Sequence, residues 1–417
     1  MNLFHQNSDA ERMLERDREW LLPVYARFPI VMERGEGVYL FDTSGNRYLD
    51  MMAGLGVNAL GHAHPRMVRA TADQARMLVH LSPQYCTPYA GELAERLCAL
   101  SGMEGVFYST GGSEAVEGAI KVARAYAAEA FGPHKHRIVS LLGSYHGRTL
   151  GSLAVTGQTK YRDNFGPDLP GVDFVVRDDL ASLQAAVSDE TCCILIETVL
   201  GEGGVYEVSP EFLAEARRLA DKHHALLVLD EIQCGLGRTG DWFAFPRIGV
   251  KPDVLILGKP LGGGIPLSAL LVTGPLFHAL GLGKHGSTLG GSPMACRLGL
   301  EFLSVVEDEG LLARVTDTGA YLRTHLDGLA RELDIAMEAR GIGLIQGLEL
   351  SIPGRPIAES ALEQGLMLNF VQGNVMRFLP SFLLERQHVD TAMEIIRPLL
   401  HKANREAKAE QPELVAR

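Results

Sequence analysis

Between about residues 64 and 305 the chain alternates short apolar runs with longer segments whose apolar positions recur at helical spacing. The runs HRIVSLLG, DFVVRDD, CCILIE, ALLVLD, DVLILG and SALLVTG are nearly continuous rather than alternating, which predicts strands buried on both faces. The segments between them predict the covering helices. In SEAVEGAIKVARAYAAE, residues 113–129, Val116, Ile120 and Ala123 share one face. Glu117 stands four residues before Lys121, and that polar face reads as solvated. Strands alternating with helices predict an open, largely parallel α/β sheet. After residue 305 long helices surround the short strands GLIQGLELS and NVMRFLP, which predicts a smaller α+β domain. The expected division is 1–60 as an amino-terminal segment joining the small domain, 61–305 as the large domain and 306–417 as the carboxyl-terminal small domain.

Composition narrows the partners. A chain of 417 residues, 46% hydrophobic and 22% charged, is long enough for two domains with substantial cores. Its net charge of -12 speaks against nucleic acid or an anionic membrane, both of which select basic surfaces. The six cysteines, Cys86, Cys98, Cys192, Cys193, Cys234 and Cys296, form no CxxC pair, as in a reduced protein, and no metal site is expected. The first twenty residues are studded with charge where a signal peptide needs an apolar stretch, and no apolar run reaches membrane-spanning length. A cytoplasmic protein is expected.

Two charged residues stand out against this background. Asp230 closes ALLVLD and Lys259 follows DVLILG, so both fall at the carboxyl edge of the sheet, where α/β proteins bind ligands. A lysine and an aspartate in one crevice meet the minimum for pyridoxal phosphate (PLP): the amine forms a Schiff base and the carboxylate keeps the ring nitrogen protonated. A structural ion pair or a solvated lysine fits the same two residues. In YSTGGSEAVEGAIK, Thr110 to Ser113 precede a strong helix and could cradle a phosphate, or Ser113 could simply cap that helix. GLGRTG lacks the strand-turn-helix setting of a dinucleotide site, and GKPLGGG is not a nucleotide P-loop because proline follows its lysine. Tyr145, in GSYHGRT, follows the strand HRIVSLL and could cover a cofactor ring or belong to the core. Arg148 in that loop and Arg377 in VMRFLPS could grip a dicarboxylate bidentately, or lie on the surface.

Taken together, GEGVYLFDTSGNRYLDMMAGLGVNALGHAHP, TGGSEAVEGAIKVAR, SYHGRTLGSLAVTGQTKY, ETVLGEGGV, LVLDEIQCGLGRTG, PDVLILGKPLGGGIPLSA, HGSTLGGSPMAC and NVMRFLPSFLL resemble the class III, ornithine/acetylornithine type, aminotransferases over nearly the whole chain. The resemblance implies a PLP-dependent transferase of fold type I, with a mostly parallel sheet of the seven-stranded type in a large domain and a small domain built from both termini. It implies Lys259 as the Schiff-base lysine, Asp230 as partner of the ring nitrogen and Gln233 as donor to the phenolic oxygen. Gly112 and Ser113 would hold the phosphate, Tyr145 and Ile232 would sandwich the ring, and Thr288 would reach the phosphate of the other subunit of a homodimer. Arg148 and Arg377 would bind substrate carboxylates, with Glu202 neutralising Arg377 when none is present.

The implied activity is ping-pong transfer of the terminal amino group of N-acetylornithine, or a similar ω-amino acid or diamine, to 2-oxoglutarate. Ser292, Leu200 and Gly111 depart from the family's usual residues and leave the donor open. Leu55, where ornithine enzymes tend to carry tyrosine, tilts the reading toward an N-acetylated donor. Ornithine, γ-aminobutyrate or pyruvate-linked transfer, a same-fold aminomutase, racemase or decarboxylase, and a non-catalytic binding protein are the alternatives.

Overall fold

The structure, a computed structural model, describes residues 8–410 and divides into two compact units. The second, Pro65–Thr316 with Gly341–Ile345, is built on one seven-stranded sheet. Its strands are β1 (Gly105–Ser109), β2 (Arg137–Leu141), β3 (Val172–Val175), β4 (Thr191–Glu197), β5 (Leu226–Asp230), β6 (Val254–Leu257) and β7 (Ser268–Val272), in the order β1-β7-β6-β5-β4-β2-β3. Only β7 runs against its neighbours. Six of these strands are the six apolar runs. The seventh, GVFYS, is half exposed at Val106, Phe107 and Tyr108, so it lacks the continuous apolar signature of a strand covered on both faces.

Register decides what meets at the carboxyl edge. Asp230 pairs with Glu197 of β4 on one side and Ile256 of β6 on the other, three residues before Lys259. Ser268, the first residue of the reversed β7, pairs with Ser109, the last of β1, so that strand brings its start to the same edge. Among the helices of this unit are α1 (Gly112–Phe131), α2 (Leu150–Ala154), α3 (Pro210–Lys222) and α4 (Pro293–Asp308).

Helix α1 covers the sheet through Ala115, Val116, Ala119, Ile120, Val122, Ala123 and Ala127, which share a core cluster with Val228, Ile256 and Leu270. Small residues on that face let the helix lie close to the sheet, while each buried valine, isoleucine or leucine contributes about 1.5–3 kcal/mol. Ser209 caps α3 by accepting from Phe212 N, with Pro210 in the first turn. Ser292 caps α4 in the same manner, accepting from Ala295 N. Ser292, one of the departures from the resembled family, thus supplies a capping oxygen.

The described part of the first unit joins residues 8–64, Asp317–Arg340 and 346–410. One of its sheets combines Met32–Glu36, Tyr39–Asp42 and Arg47–Asp50 with the distant Leu366–Met367, which ties the two ends of the chain together. The other contains Ile345–Leu350, Val375–Phe378 and Asn369–Val371. Among the described residues no helix is long and apolar enough to cross a membrane.

Candidate active site

The carboxyl edge gathers residues from six loops of the second unit. Asp230 is 3% exposed; its Oδ2 accepts from His146 Nδ1 at 2.8 Å and its Oδ1 from Ile232 N at 3.0 Å. Its strand neighbour Glu197 accepts from Tyr145 N at 2.7 Å. Burial pushes the Glu197 carboxyl well above its usual range, and the adjacent Asp230 charge adds to this. The Tyr145 amide and the Lys259 charge oppose that shift.

The opposite wall is α1. Its N-cap is Gly111, with no side-chain cap, so the amides of Gly112 and Ser113 lack acceptors within the helix. Ser113 is not the cap that one reading of the sequence allowed: it sits inside the first turn, and its Oγ accepts from Arg148 N at 3.1 Å. Glu114 reaches back instead, accepting from Thr110 N at 2.8 Å and Thr110 Oγ1 at 2.9 Å. A Cβ on Gly112 would meet Ile232 Cδ1 at 2.8 Å, and one on Gly258 would meet Ile232 Cγ2 at 3.2 Å. Ile232 is thus flanked by the cradle on one side and the residue before Lys259 on the other.

Lys259 opens a short 3-10 turn, Lys259–Gly262, with φ of 44°, a left-handed conformation that costs a non-glycine residue of order 1–3 kcal/mol. Such strain persists where the surroundings fix a side chain's direction. Gln233 Nε2 lies 3.5 Å from Glu202 Oε1. Arg148 is exposed; its guanidinium stands 3.9 Å over the Tyr161 ring, and its Nε is 3.4 Å from Tyr145 OH. Thr288 is exposed, on a loop held to α1 by Lys121, whose Nζ donates to Lys284 O at 2.6 Å and to His285 Nδ1 at 3.1 Å. Arg377 belongs to the first unit, 1% exposed, with Nε and Nη2 both donating to Asn369 Oδ1 at 3.0 and 2.7 Å.

The surface pair of Glu117 and Lys121 suggested by their spacing is absent. Lys121 binds the 284–285 backbone and ring, while Glu117 binds the loop after β2. The sequence reading did not single out Glu197 or His146, and it gave Glu117 only as one of a solvated pair. The signal for Glu197 was present, because it ends its apolar strand as Asp230 does.

An uncapped helix start, an aspartate held by a buried histidine, and a lysine strained into place suit PLP's phosphate, ring nitrogen and aldehyde, and a side chain at 112 would press on the Ile232 methyl at 2.8 Å. Residues 23–400 match the family model for aminotransferase class III. The chain belongs to the class III aminotransferases. The family is PLP-dependent, and its members transfer amino groups. Among similar proteins, the acetylornithine aminotransferase of Methanocaldococcus jannaschii is 39% identical over 93% of this chain and 97% of its own length. That of Neisseria meningitidis serogroup A is 42% identical, covering 95% and 100%. In three dimensions an ornithine aminotransferase from Toxoplasma gondii, described with partial occupancy of PLP at its active site, superposes with a TM-score of 0.91 at 32% identity, covering 96% of both chains.

Proposed function

We propose that this class III aminotransferase moves the terminal amino group of N-acetylornithine, or a closely similar ω-amino acid, to 2-oxoglutarate by a ping-pong mechanism, as a cytoplasmic homodimer. The observation that carries the reading is the placement of Asp230 and Lys259 at and just beyond the ends of adjacent parallel strands, with Ile232 lying between Gly258 and the uncapped start of α1. The name shared by relatives that cover more than nine-tenths of the chain supports the donor. Leu55, which has no hydroxyl to offer a substrate carboxylate, agrees with it.

Bound PLP supplies an electron sink that makes the hydrogen on an attached amine's carbon acidic. In this reading Lys259 Nζ would hold the group covalently and would serve as the base that moves that proton. Asp230, oriented by His146, holds a proton on the ring nitrogen. The Gly112 and Ser113 amides and the α1 dipole take the phosphate, and Tyr145 and Ile232 take the two ring faces. Gln233 serves the phenolic oxygen, and Thr288 is offered to the partner's phosphate. Arg148 and Arg377 take substrate carboxylates, with Glu202 as counter-charge.

The test is the visible spectrum of the purified protein before and after N-acetylornithine, ornithine, γ-aminobutyrate, β-alanine and putrescine, each added separately. The expected result is a yellow band that N-acetylornithine bleaches and 2-oxoglutarate restores. A band bleached only by another donor replaces the proposed substrate. A colourless protein that takes up no PLP removes the enzyme reading.

A further inference from the structure

Glu117 lies just over one turn along α1 from the cradle and is half-buried. Its Oε1 accepts three hydrogen bonds from one stretch of the loop after β2: from Thr149 Oγ1 at 2.6 Å, Gly151 N at 2.9 Å and Ser152 N at 3.1 Å. Helix α2 starts in that stretch, and its own N-cap residue, Thr149, makes no side-chain cap bond to it. The capping oxygen comes instead from α1. Gly151 is needed for this approach, because a Cβ there would lie 2.2 Å from Glu117 Oε2.

One helical turn nearer the cradle, Ser113 Oγ accepts from Arg148 N in the same loop. Tyr145 and Arg148 therefore sit on a segment fastened at one end to the sheet, through Glu197 and Asp230, and at the other to α1, through Ser113 and Glu117. The loop is also bonded to residues 156–158, His146 N donating to Thr156 Oγ1 at 2.9 Å and Gly157 N to Ser144 Oγ at 3.0 Å, but the bonds to Ser113 and Glu117 tie it directly to the helix that carries the Gly112 and Ser113 amides.

We propose that Glu117 is a positioning residue of the active site, setting Tyr145 and Arg148 against the phosphate cradle by capping residues 149–152 from the cradle's own helix. This rests on the roles given above to Tyr145, Arg148 and the cradle. A carboxylate is suited to the task because one oxygen accepts from a hydroxyl and two amides at once. Displacing the loop by a fraction of an ångström separates a ring from its stacking face and a guanidinium from its carboxylate, and misplacement on the 1 Å scale costs up to about 10²-fold.

The experiment compares the wild-type holoenzyme with Glu117→Ala, Glu117→Gln and Gly151→Ala, measuring PLP dissociation, KM for 2-oxoglutarate, kcat and Tm. The alanine variant is expected to raise the 2-oxoglutarate KM and the PLP dissociation constant each by about tenfold. Glu117→Gln retains the accepting oxygen and is expected to stay within about twofold. Gly151→Ala, which leaves Glu117 in place but excludes it from the loop, is expected to match Glu117→Ala and stands in for it if that variant does not fold. A fall in Tm with unchanged KM and PLP affinity, or a Gln variant as impaired as Ala, overturns the proposal. A wild-type protein that neither binds PLP nor uses 2-oxoglutarate overturns the functional reading itself, which the variants leave untouched.

Discussion

Asp230 and Glu197, register partners on neighbouring parallel strands, grip consecutive residues of one loop: Asp230 holds the His146 ring at 2.8 Å and Glu197 holds the Tyr145 amide at 2.7 Å. Two adjacent buried carboxylates cannot both carry full charge at little cost. Burial, and after it the Asp230 charge, raises the Glu197 carboxyl well above its usual range, while the hydrogen bond from the Tyr145 amide acts the other way.

That arrangement sets a pH dependence. Glu197 and the fully buried Glu231, pushed up to about 7 by burial, both bind their protons more tightly folded than unfolded. The folded state then holds more protons than the unfolded one above the ordinary carboxylate value, so the stability from this source is complete at low pH and falls as pH rises through the folded values. Urea unfolding should show stability declining between about pH 4.5 and 7 from these groups, with Glu197→Gln, a permanent mimic of the neutral form, flattening the decline. A Gln variant with an unchanged or steeper slope contradicts the assignment.

Close approach at the cradle predicts a coupled pair. Gly112→Ala puts a methyl 2.8 Å from Ile232 Cδ1 and should weaken PLP binding about tenfold or more while changing Tm little, as position 112 has ordinary helical backbone. Ile232→Val deletes the obstructing atom. Combined with Gly112→Ala it should recover much of the loss, giving a double-mutant coupling of about 1 kcal/mol. Additive losses would show that the contact is not the cause.

Arg377 is held by one asparagine oxygen through two of its nitrogens, which fixes the plane of the guanidinium. Arg377→Lys keeps the charge and loses the fork, so steady-state kinetics should show KM for the carboxylate substrate up about 10–100-fold with a smaller change in kcat. An unchanged KM would remove Arg377 from the substrate residues.

Lys135 offers a stability control away from the site. It is 2% exposed, and its Nζ donates to Asp189 O at 3.0 Å and His223 O at 2.6 Å, tying three loops together. Lys135→Met strands both carbonyls and should cost about 2–4 kcal/mol by chemical denaturation, with kcat unchanged in the remaining folded enzyme. A drop in kcat would link that side of the sheet to the active site.

The order of apolar runs was enough to give the sheet, and with it the carboxyl edge on which the proposed site residues Asp230 and Lys259 fall. Apolar runs mark strands buried on both faces, and a charge directly after such a run, as at Asp230 and Lys259, can only stand at the strand's end. Family motifs then carried Gly112, Ser113, Tyr145 and Thr288. What tertiary structure alone decided was pairing. Glu197 closes CCILIE just as Asp230 closes ALLVLD, but only the register of β4 against β5 makes them neighbours, and burial there raises the Glu197 carboxyl well above its usual range. Glu117 and Lys121 looked like a solvated i,i+4 pair because helical spacing puts them within reach; folding gave each a better partner, a capped loop for one and the 284–285 segment for the other. Local spacing fixes which groups share a face. Which acceptors and donors long loops bring to that face is set by contacts between residues far apart in the chain, and those distances are not written in any single segment.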